Sequence, residues 1–348
     1  MDQPKRTELQ DLGEFGLIKR LTEKIELRNK SSIKGVGDDA AVVHHEGKHT
    51  VVTTDMLLEN IHFDLTYTPL LHLGYKAVVV NLSDVFAMNA IPKQITVSIA
   101  LSNRFSIEAV DELYKGIYHA CDIYGVDVIG GDTTSSVSGL IISITCLGEA
   151  NPEKIVSRSG ASENEILCVS GDLGSAYIGL QILEREKQIF KEAPEVQPDL
   201  DGNDYVIERI LKPEARKDII DLLAHLDILP TSMIDISDGL ASELLHLCKA
   251  SGVGCQLQAE KIPIDPATVT QASNFNIDPT VCALNGGEDY ELLFTIRQAD
   301  YDKLKDSPDI TFIGFMTDAS MGCKMTLESG SQIDLESQGW DSFTPKSE

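Results

Sequence analysis

The sequence predicts an α/β (α+β) protein of two domains, each built on a mixed sheet with flanking helices. Three observations carry this. Strand-like segments followed by helix-like segments occur in both halves of the chain. The length, 348 residues, exceeds the usual single domain. The chain also changes character near Asn151-Pro152, which places an N-terminal domain over 1–150 and a C-terminal domain over 151–348. A hydrophobic content of 42% is ample for packed cores.

In chain order, Phe15, Ile18, Leu21 and Ile25 share one face of a helix over 15–28. Residues 50–54 read as a strand that delivers Asp55 at its end. Pro69 suits a helix start, and Leu73, Ala77, Val80 and Asp84 run down that helix. Residues 94–101 alternate, with Ile95, Val97, Ile99 and Leu101 on the buried face of a strand. A helix over 107–124 is ended by Gly125, a short strand over 126–129 runs to a Gly-Gly-Asp turn, and 140–147 is another strand. In the second half, a strand over 166–170 leads through Gly171–Gly174 into a helix. The Pro-, Asp- and Glu-rich stretch 188–204 reads as a surface connection. Helices near 205–211 and 214–226 follow, then a strand over 232–236 and a helix from 239 to about 250 capped by Gly252. A strand over 290–296 precedes short strands and turns.

Composition narrows the function. The net charge of −26 repels phosphate backbones and argues against a nucleic-acid partner. No stretch reads as apolar and long enough to span a bilayer, and the N-terminus shows no signal-peptide core, so a cytoplasmic protein is expected. The seven cysteines are scattered without a Cys-x-x-Cys and read as small buried hydrophobes in a reducing compartment.

The chemistry is carried by short acidic motifs, several of which follow apolar segments: Gly35–Ala41 (Gly-Val-Gly-Asp-Asp-Ala-Ala), Thr53-Thr54-Asp55, Asn81-Leu82-Ser83-Asp84, Gly130–Thr134 (Gly-Gly-Asp-Thr-Thr), Asp235–Gly239 (Asp-Ile-Ser-Asp-Gly) and Gly286–Glu291 (Gly-Gly-Glu-Asp-Tyr-Glu). Carboxylates repel one another, so a fold that gathers them needs cations, and hard oxygen ligands that leave room for water and phosphate point to magnesium. Each motif has a plainer reading. Asp38-Asp39 fits a surface turn, and nothing in the sequence chooses between the two carboxylates. Thr53–Asp55 and Asp238 fit helix caps. Asn81 and Asp84 fit the exposed face of their helix. Asp132 fits a metal beside a glycine-built anion nest, and Glu288 fits a cationic substrate or a charged turn. His62, Arg158 and Trp340 carry little alone, as a surface histidine, a phosphate contact and an aromatic platform or tail packing. No Walker A or Gly-x-Gly-x-x-Gly pattern occurs.

Together with Gly13–Ile18, Tyr75–Asp84, Ser157–Ala161 and Leu284–Leu292, these segments run in order nearly end to end. In that order and spelling the chain resembles the thiamine-monophosphate kinase family. That family lies within the wider group of aminoimidazole ribonucleotide synthetase-like ATP-using enzymes, beside selenophosphate synthetase and the hydrogenase-maturation dehydratase. The resemblance implies direct phosphoryl transfer from ATP to thiamine monophosphate, giving thiamine diphosphate and ADP, with several Mg²⁺ ions and no phosphoenzyme. It implies metal ligands at Asp39, Thr53, Thr54, Asp55, Asp84, Asp132, Asp235 and Asp238, with Asp55, Asp132 and Asp235 central to catalysis. ATP would meet Gly131, Asp132, Arg158 and Ser237, and thiamine monophosphate would meet His62, Glu288 and Trp340. It also implies an N-terminal ATP- and metal-binding domain that pairs across a homodimer, and a C-terminal domain that completes the active site. Two positions depart from the family pattern: Asn285 where Ser is common, and Ser135 where Arg is frequent.

The sister enzymes fit less well. Selenophosphate synthetase needs a reactive Cys or selenocysteine near the N-terminus, whereas the first cysteine here is Cys121. The hydrogenase-maturation protein ends in a functional Cys, whereas this chain ends Pro-Lys-Ser-Glu. A non-catalytic cation binder would not need the Gly-Gly-Asp segment or Arg158, and the chain has no EF-hand loop.

Overall fold

The computed structural model describes residues 20–34, 42–44 and 46–337. The chain divides into two compact units, Met1–Ile155 and Val156–Glu348.

In the first unit, β1 (Ser32–Lys34) and β2 (Val42–Val43) pair antiparallel. A second, four-stranded sheet has the order β3-β6-β4-β5, from β3 (His49–Leu58), β4 (Ile91–Leu101), β5 (Asp127–Ser135) and β6 (Leu140–Ala150). It is mixed: β4 and β5 run parallel, and the other pairs are antiparallel. Among the described residues, two long helices, α1 (Leu70–Ala87) and α2 (Ile107–Tyr124), belong to this unit. They approach so closely that a Cβ on Gly74 would lie 2.0 Å from the Leu113 carbonyl oxygen, and one on Gly116 1.9 Å from that of Leu71. The Ser106 side chain caps α2, and Gly125 closes it at φ 70°, a left-handed conformation that glycine adopts without strain.

Helix α1 is buried from Leu73 through Ser83 and again at Val85–Ala87. By length and composition it is able to cross a membrane, which corrects the expectation that no stretch is. However, 78% of it is buried inside the unit, the setting of a core helix. Asn81 is fully buried, so the exposed-face reading of Asn81 and Asp84 fails.

In the first unit, three differences from the expected elements bear on the site and its surroundings. Strand β3 continues past residue 54, so Asp55 lies inside it rather than at its end. Strand β5 continues through Gly130-Gly131-Asp132, so that motif is not a turn. A bulge at Ile95/Thr96 sets its pairing with β4. The segment Ile25–Arg28 is not helical. Asp127, buried on β5, takes the backbone N–H groups of Arg28 and Asn29 (2.6 and 2.9 Å) and the Ser32 hydroxyl (2.5 Å), which draws this stretch off a helical path.

The second unit holds a seven-stranded sheet in the order β13-β12-β9-β11-β7-β10-β8. Its strands are β7 (Ile166–Ser170), β8 (Ser232–Asp235), β9 (Gly254–Gln258), β10 (Leu292–Ile296), β11 (Ile310–Thr317), β12 (Cys323–Thr326) and β13 (Gln332–Asp334). All neighbours are antiparallel except β12 and β9. The longer helices are α3 (Ser175–Glu192), α4 (Asp204–Leu211), α5 (Lys217–His225), α6 (Leu240–Ser251), α7 (Pro266–Asn274) and α8 (Pro279–Asn285). Leu240, Leu244 and Leu247 of α6 join Leu167, Val169, Leu257, Leu293 and Ile313 from the strands in one apolar core. Helix α3 runs to residue 192, into the stretch expected to be a connection.

Candidate active site

In the first unit, β3 and α1 bring Thr53, Asp55 and Asp84 together. Thr53 and Asp55 alternate with outward residues on β3, so both face the interior side of the sheet. The Thr53 hydroxyl donates to Asp84 Oδ2 at 2.5 Å. The Asp55 backbone N–H donates to Asn81 Oδ1 (3.1 Å), and Asn81 donates in turn to the Ala77 carbonyl (3.1 Å). This buried asparagine fixes α1 against β3 at the level of the two aspartates. Burial, with the Asp84 carboxylate as the second cause, pushes the Asp55 carboxyl up to about 6.

Register divides the other expected ligands. Asp55, Ile144, Val97 and Gly131 stand in one row across the sheet. Asp132 stands one residue along, in the row of Ser98, Ser143 and Met56, and therefore on the opposite, open face. Thr54 is on that open face too, with its hydroxyl on the Ile144 carbonyl (3.1 Å) and within 3.1 Å of Thr145 Oγ1. With two strands between β3 and β5, their axes lie about 14 Å apart. The unit thus brings Thr53, Asp55 and Asp84 to one place and leaves Asp132 apart from them. Asp132 is exposed, and its Oδ1 accepts from the Thr133 N–H at 2.9 Å. The glycine before it serves packing rather than a nest: a Cβ at Gly131 would stand 1.9 Å from the Val97 carbonyl oxygen. His62 is exposed, and its Nδ1 accepts from the Leu58 N–H (3.0 Å). Asp39, within Gly35–Ala41, lies outside the described residues, as does Trp340.

In the second unit, the Asp235–Gly239 loop is laced to the Gly286–Glu291 loop. Ile236 N–H donates to Glu291 O (2.8 Å), Glu288 N–H to Ser237 O (2.7 Å) and Tyr290 N–H to Ile236 O (2.8 Å). A Cβ on Gly287, at φ 70°, would meet the Ser237 carbonyl at 2.6 Å, so only glycine allows this approach. Glu288 and Tyr290 hold left-handed backbones (φ 59° and 53°), conformations that cost free energy and persist where surrounding structure enforces them.

This lacing sorts the acidic run. Asp289 is buried and accepts from the Gly174 N–H at the start of α3 (2.9 and 3.1 Å). Burial raises its carboxyl to about 7, although Arg209 pulls the other way. Glu291 is buried against the Ser170 hydroxyl (2.5 Å), Arg209 (3.1 Å) and Arg216. Both are held by buried partners, whereas Glu288 is half-buried.

Asp235 is buried at the end of β8, and Asp238 is half-buried. Burial raises the Asp238 carboxyl, and Glu288 adds to this, while His246 and Arg158 oppose it. Asp238, Glu288 and the exposed Arg158 therefore share one neighbourhood. Sequence reasoning missed Glu243 of α6, which is 3% exposed. Its Oε1 accepts from the Asp238 N–H (3.3 Å), and its Oε2 is buried without a hydrogen-bond partner. Burial, then Asp238, raises its carboxyl to about 8. The available signal was its place in the first turn of the helix that follows the Asp-Ser-Asp-Gly loop, where an acidic side chain can reach back to the loop backbone.

The donor sets fit magnesium. Thr53, Asp55 and Asp84 in one unit, and Asp235, Asp238 and Glu243 in the other, are hard oxygen groups whose repulsion a divalent cation offsets, and the Glu243 Oε2 atom lacks a partner that such a cation would supply.

Residues 37–150 match the AIR synthase related protein, N-terminal domain family. The chain is similar to the thiamine-monophosphate kinase of Aquifex aeolicus (strain VF5), 35% identical over 302 residues, covering 87% of this chain and 92% of that protein. It is also similar to that of Bacillus subtilis (strain 168), 31% identical over 338 residues, covering 95% and 100%. Among solved structures it resembles AaThiL complexed with AMPPCP and TMP, with a TM-score of 0.72 and 33% identity over 98% of this chain and 100% of the other.

Proposed function

The chain belongs to the thiamine-monophosphate kinase family, and on that premise we propose that it transfers the γ-phosphoryl group of ATP to thiamine monophosphate. A phosphate oxygen of thiamine monophosphate attacks the γ-phosphorus, the bond to the ADP oxygen breaks, and thiamine diphosphate and ADP leave. The observation that carries the reading is near full-length similarity to kinases of this name, joined to oxygen-donor sets of the kind that phosphoryl transfer needs.

The acceptor oxygen is already anionic near neutral pH, so the reaction calls for no general base. The obstacle is repulsion among the phosphates and the acidic protein, and catalysis rests on positioning and charge neutralisation. We assign Mg²⁺ to Thr53, Asp55 and Asp84, to Asp235 and Asp238, to Thr54 and Asp132 from the open face, and to Asp39. When bound, it neutralises phosphate charge and supports the developing negative charge of transfer. Asn81 holds β3 and α1 in register so that Asp55 and Asp84 converge. Arg158, with Gly131, Asp132 and Ser237, takes the nucleotide phosphates. We assign Glu288, held by its strained backbone, to the cationic thiamine moiety, and on the family pattern His62 and Trp340 to the same substrate.

Two further readings accompany this one. The open sheet face, with Val52 61% and Met56 55% exposed, supports a homodimer paired through the N-terminal domain. The expected boundary at 150 separates an ATP- and metal-binding N-terminal domain from a C-terminal domain that completes the site, in a cytoplasmic enzyme. The test of the acceptor is a panel: with Mg²⁺ and ATP, thiamine monophosphate yields thiamine diphosphate, whereas free thiamine and other aminopyrimidine phosphates do not. Preference for one of those over thiamine monophosphate overturns the assignment.

A further inference from the structure

The cysteines are not as scattered in space as in sequence. Cys248, Cys255 and Cys323 converge, with their three Sγ atoms all within 4.8 Å of one another. Each comes from a different element of the second unit. Cys248 sits in the last turn of α6. Gly252 (φ 69°) ends that helix by returning its N–H to the Cys248 carbonyl and turns the chain into β9, where Cys255 is the second residue. Cys323 opens β12 and pairs directly with Cys255 in the parallel β12–β9 ladder, so the two side chains share a face of the sheet. Cys248 and Cys255 are buried among Leu244, Leu247, Leu257 and Met325, whereas Cys323 is half-buried.

We propose that these three thiols form a binding site for a soft, thiophilic cation of the zinc or cadmium class, separate from the oxygen-donor site for phosphates. Thiolates on one tetrahedral zinc stand about 3.8 Å apart, from a metal–sulfur length of about 2.3 Å. Sulfurs within 4.8 Å of one another already approach that spacing. Three protein ligands and one open position are a recognised zinc arrangement, thiolates are among zinc's ligands, and the half-buried Cys323 provides the open, solvent-side position and the route in. Sulfur selects against magnesium, which prefers oxygen, so the site is chemically distinct from the catalytic donors. Binding releases the thiol protons to solvent. Its structural effect is to fasten the end of α6 and the strand pair β12–β13 to β9.

The test is titration of the reduced, EDTA-treated full chain with Cd²⁺ in excess Mg²⁺. The expected result is one equivalent of Cd²⁺ per chain and a sulfur-to-metal charge-transfer band that Mg²⁺ does not suppress. Cys323→Ser and Cys248→Ala each lose that band, while Cys121→Ala keeps it. Zn²⁺ raises the melting temperature of the wild type but not of Cys323→Ser, and it protects Cys323 from a thiol reagent. Absence of the band at one equivalent overturns the proposal, as does its persistence in both cluster variants. A mass two hydrogens lower with no metal bound marks a disulfide instead and also overturns it.

Discussion

Asp55→Asn tests the electrostatics of the candidate site against its own chemistry. The Asp55 carboxyl is raised from 3.8 to about 6, by burial first and by Asp84 second. At 1.36 kcal/mol for each factor of ten, that rise costs the folded, metal-free chain about 3 kcal/mol. The sign is set by proton binding. Below pH 3.8 the group is protonated in both folded and unfolded chains and the cost is absent. Between about pH 4 and 6 the unfolded chain gives up its proton first, so stability falls, and above about pH 6 the full cost applies. Asparagine keeps the size and the backbone N–H bond to Asn81 but removes the charge. The variant is therefore expected to be more stable than wild type at pH 8 in EDTA, with a gain of up to about 3 kcal/mol, or roughly 6–12 °C for a unit of this size. The gain vanishes near pH 4. Turnover with Mg²⁺, ATP and thiamine monophosphate falls on the order of 100-fold or more, because a ligand for the neutralising cation is gone. Thermal melts of both proteins across pH in EDTA, with rates measured alongside, decide the matter. A variant no more stable at pH 8, or one that keeps its rate, refutes the reasoning.

Three other outcomes follow from the same geometry. Gly131→Ala forces a Cβ to within 1.9 Å of the Val97 carbonyl, so β5 must leave β4. The variant should melt lower and lose activity even though no metal ligand is removed, which calorimetry and rate measurements check together. Glu291→Ala removes the buried carboxylate that Arg209 and Arg216 share, leaving Arg216 its more exposed partner Asp218, and should destabilise the chain by up to about 3 kcal/mol in urea denaturation. Met56→Lys places a charge on the open sheet face; light scattering should show wild-type dimers and mostly monomers in the variant.

The parts of the fold that were legible had strong local signals. Pro69 and the apolar run after it marked α1, and alternation marked β4. Asp84 stood out because a carboxylate in that run needs a partner, and the structure supplies the Thr53 hydroxyl. Where strand meets glycine, the local signal misled. Gly130-Gly131 reads as a turn, yet both lie in β5, and at Gly131 β4 passes too close for a side chain, a tertiary cause invisible along the chain. Helices α7 and α8 each open with Asp-Pro, a start signal legible in the sequence, and Asp265 and Asp278 cap the N–H groups of Ala267 and Thr280. Within Gly286–Glu291, spacing alone did not separate the buried Asp289 and Glu291 from Glu288. That division depends on Arg209, Arg216 and the start of α3, all distant in sequence. The cysteine cluster is of the same kind, because β12 reaches β9 only through the order of the sheet.

The central claim is direct transfer between ATP and thiamine monophosphate, and phosphorus NMR of a single reaction mixture tests it most directly. With Mg²⁺, ATP and thiamine monophosphate present, the account predicts that the γ-phosphate signal of ATP decays while ADP and thiamine diphosphate grow one for one. ADP appearing with inorganic phosphate and no thiamine diphosphate, or AMP appearing in place of ADP, would contradict it.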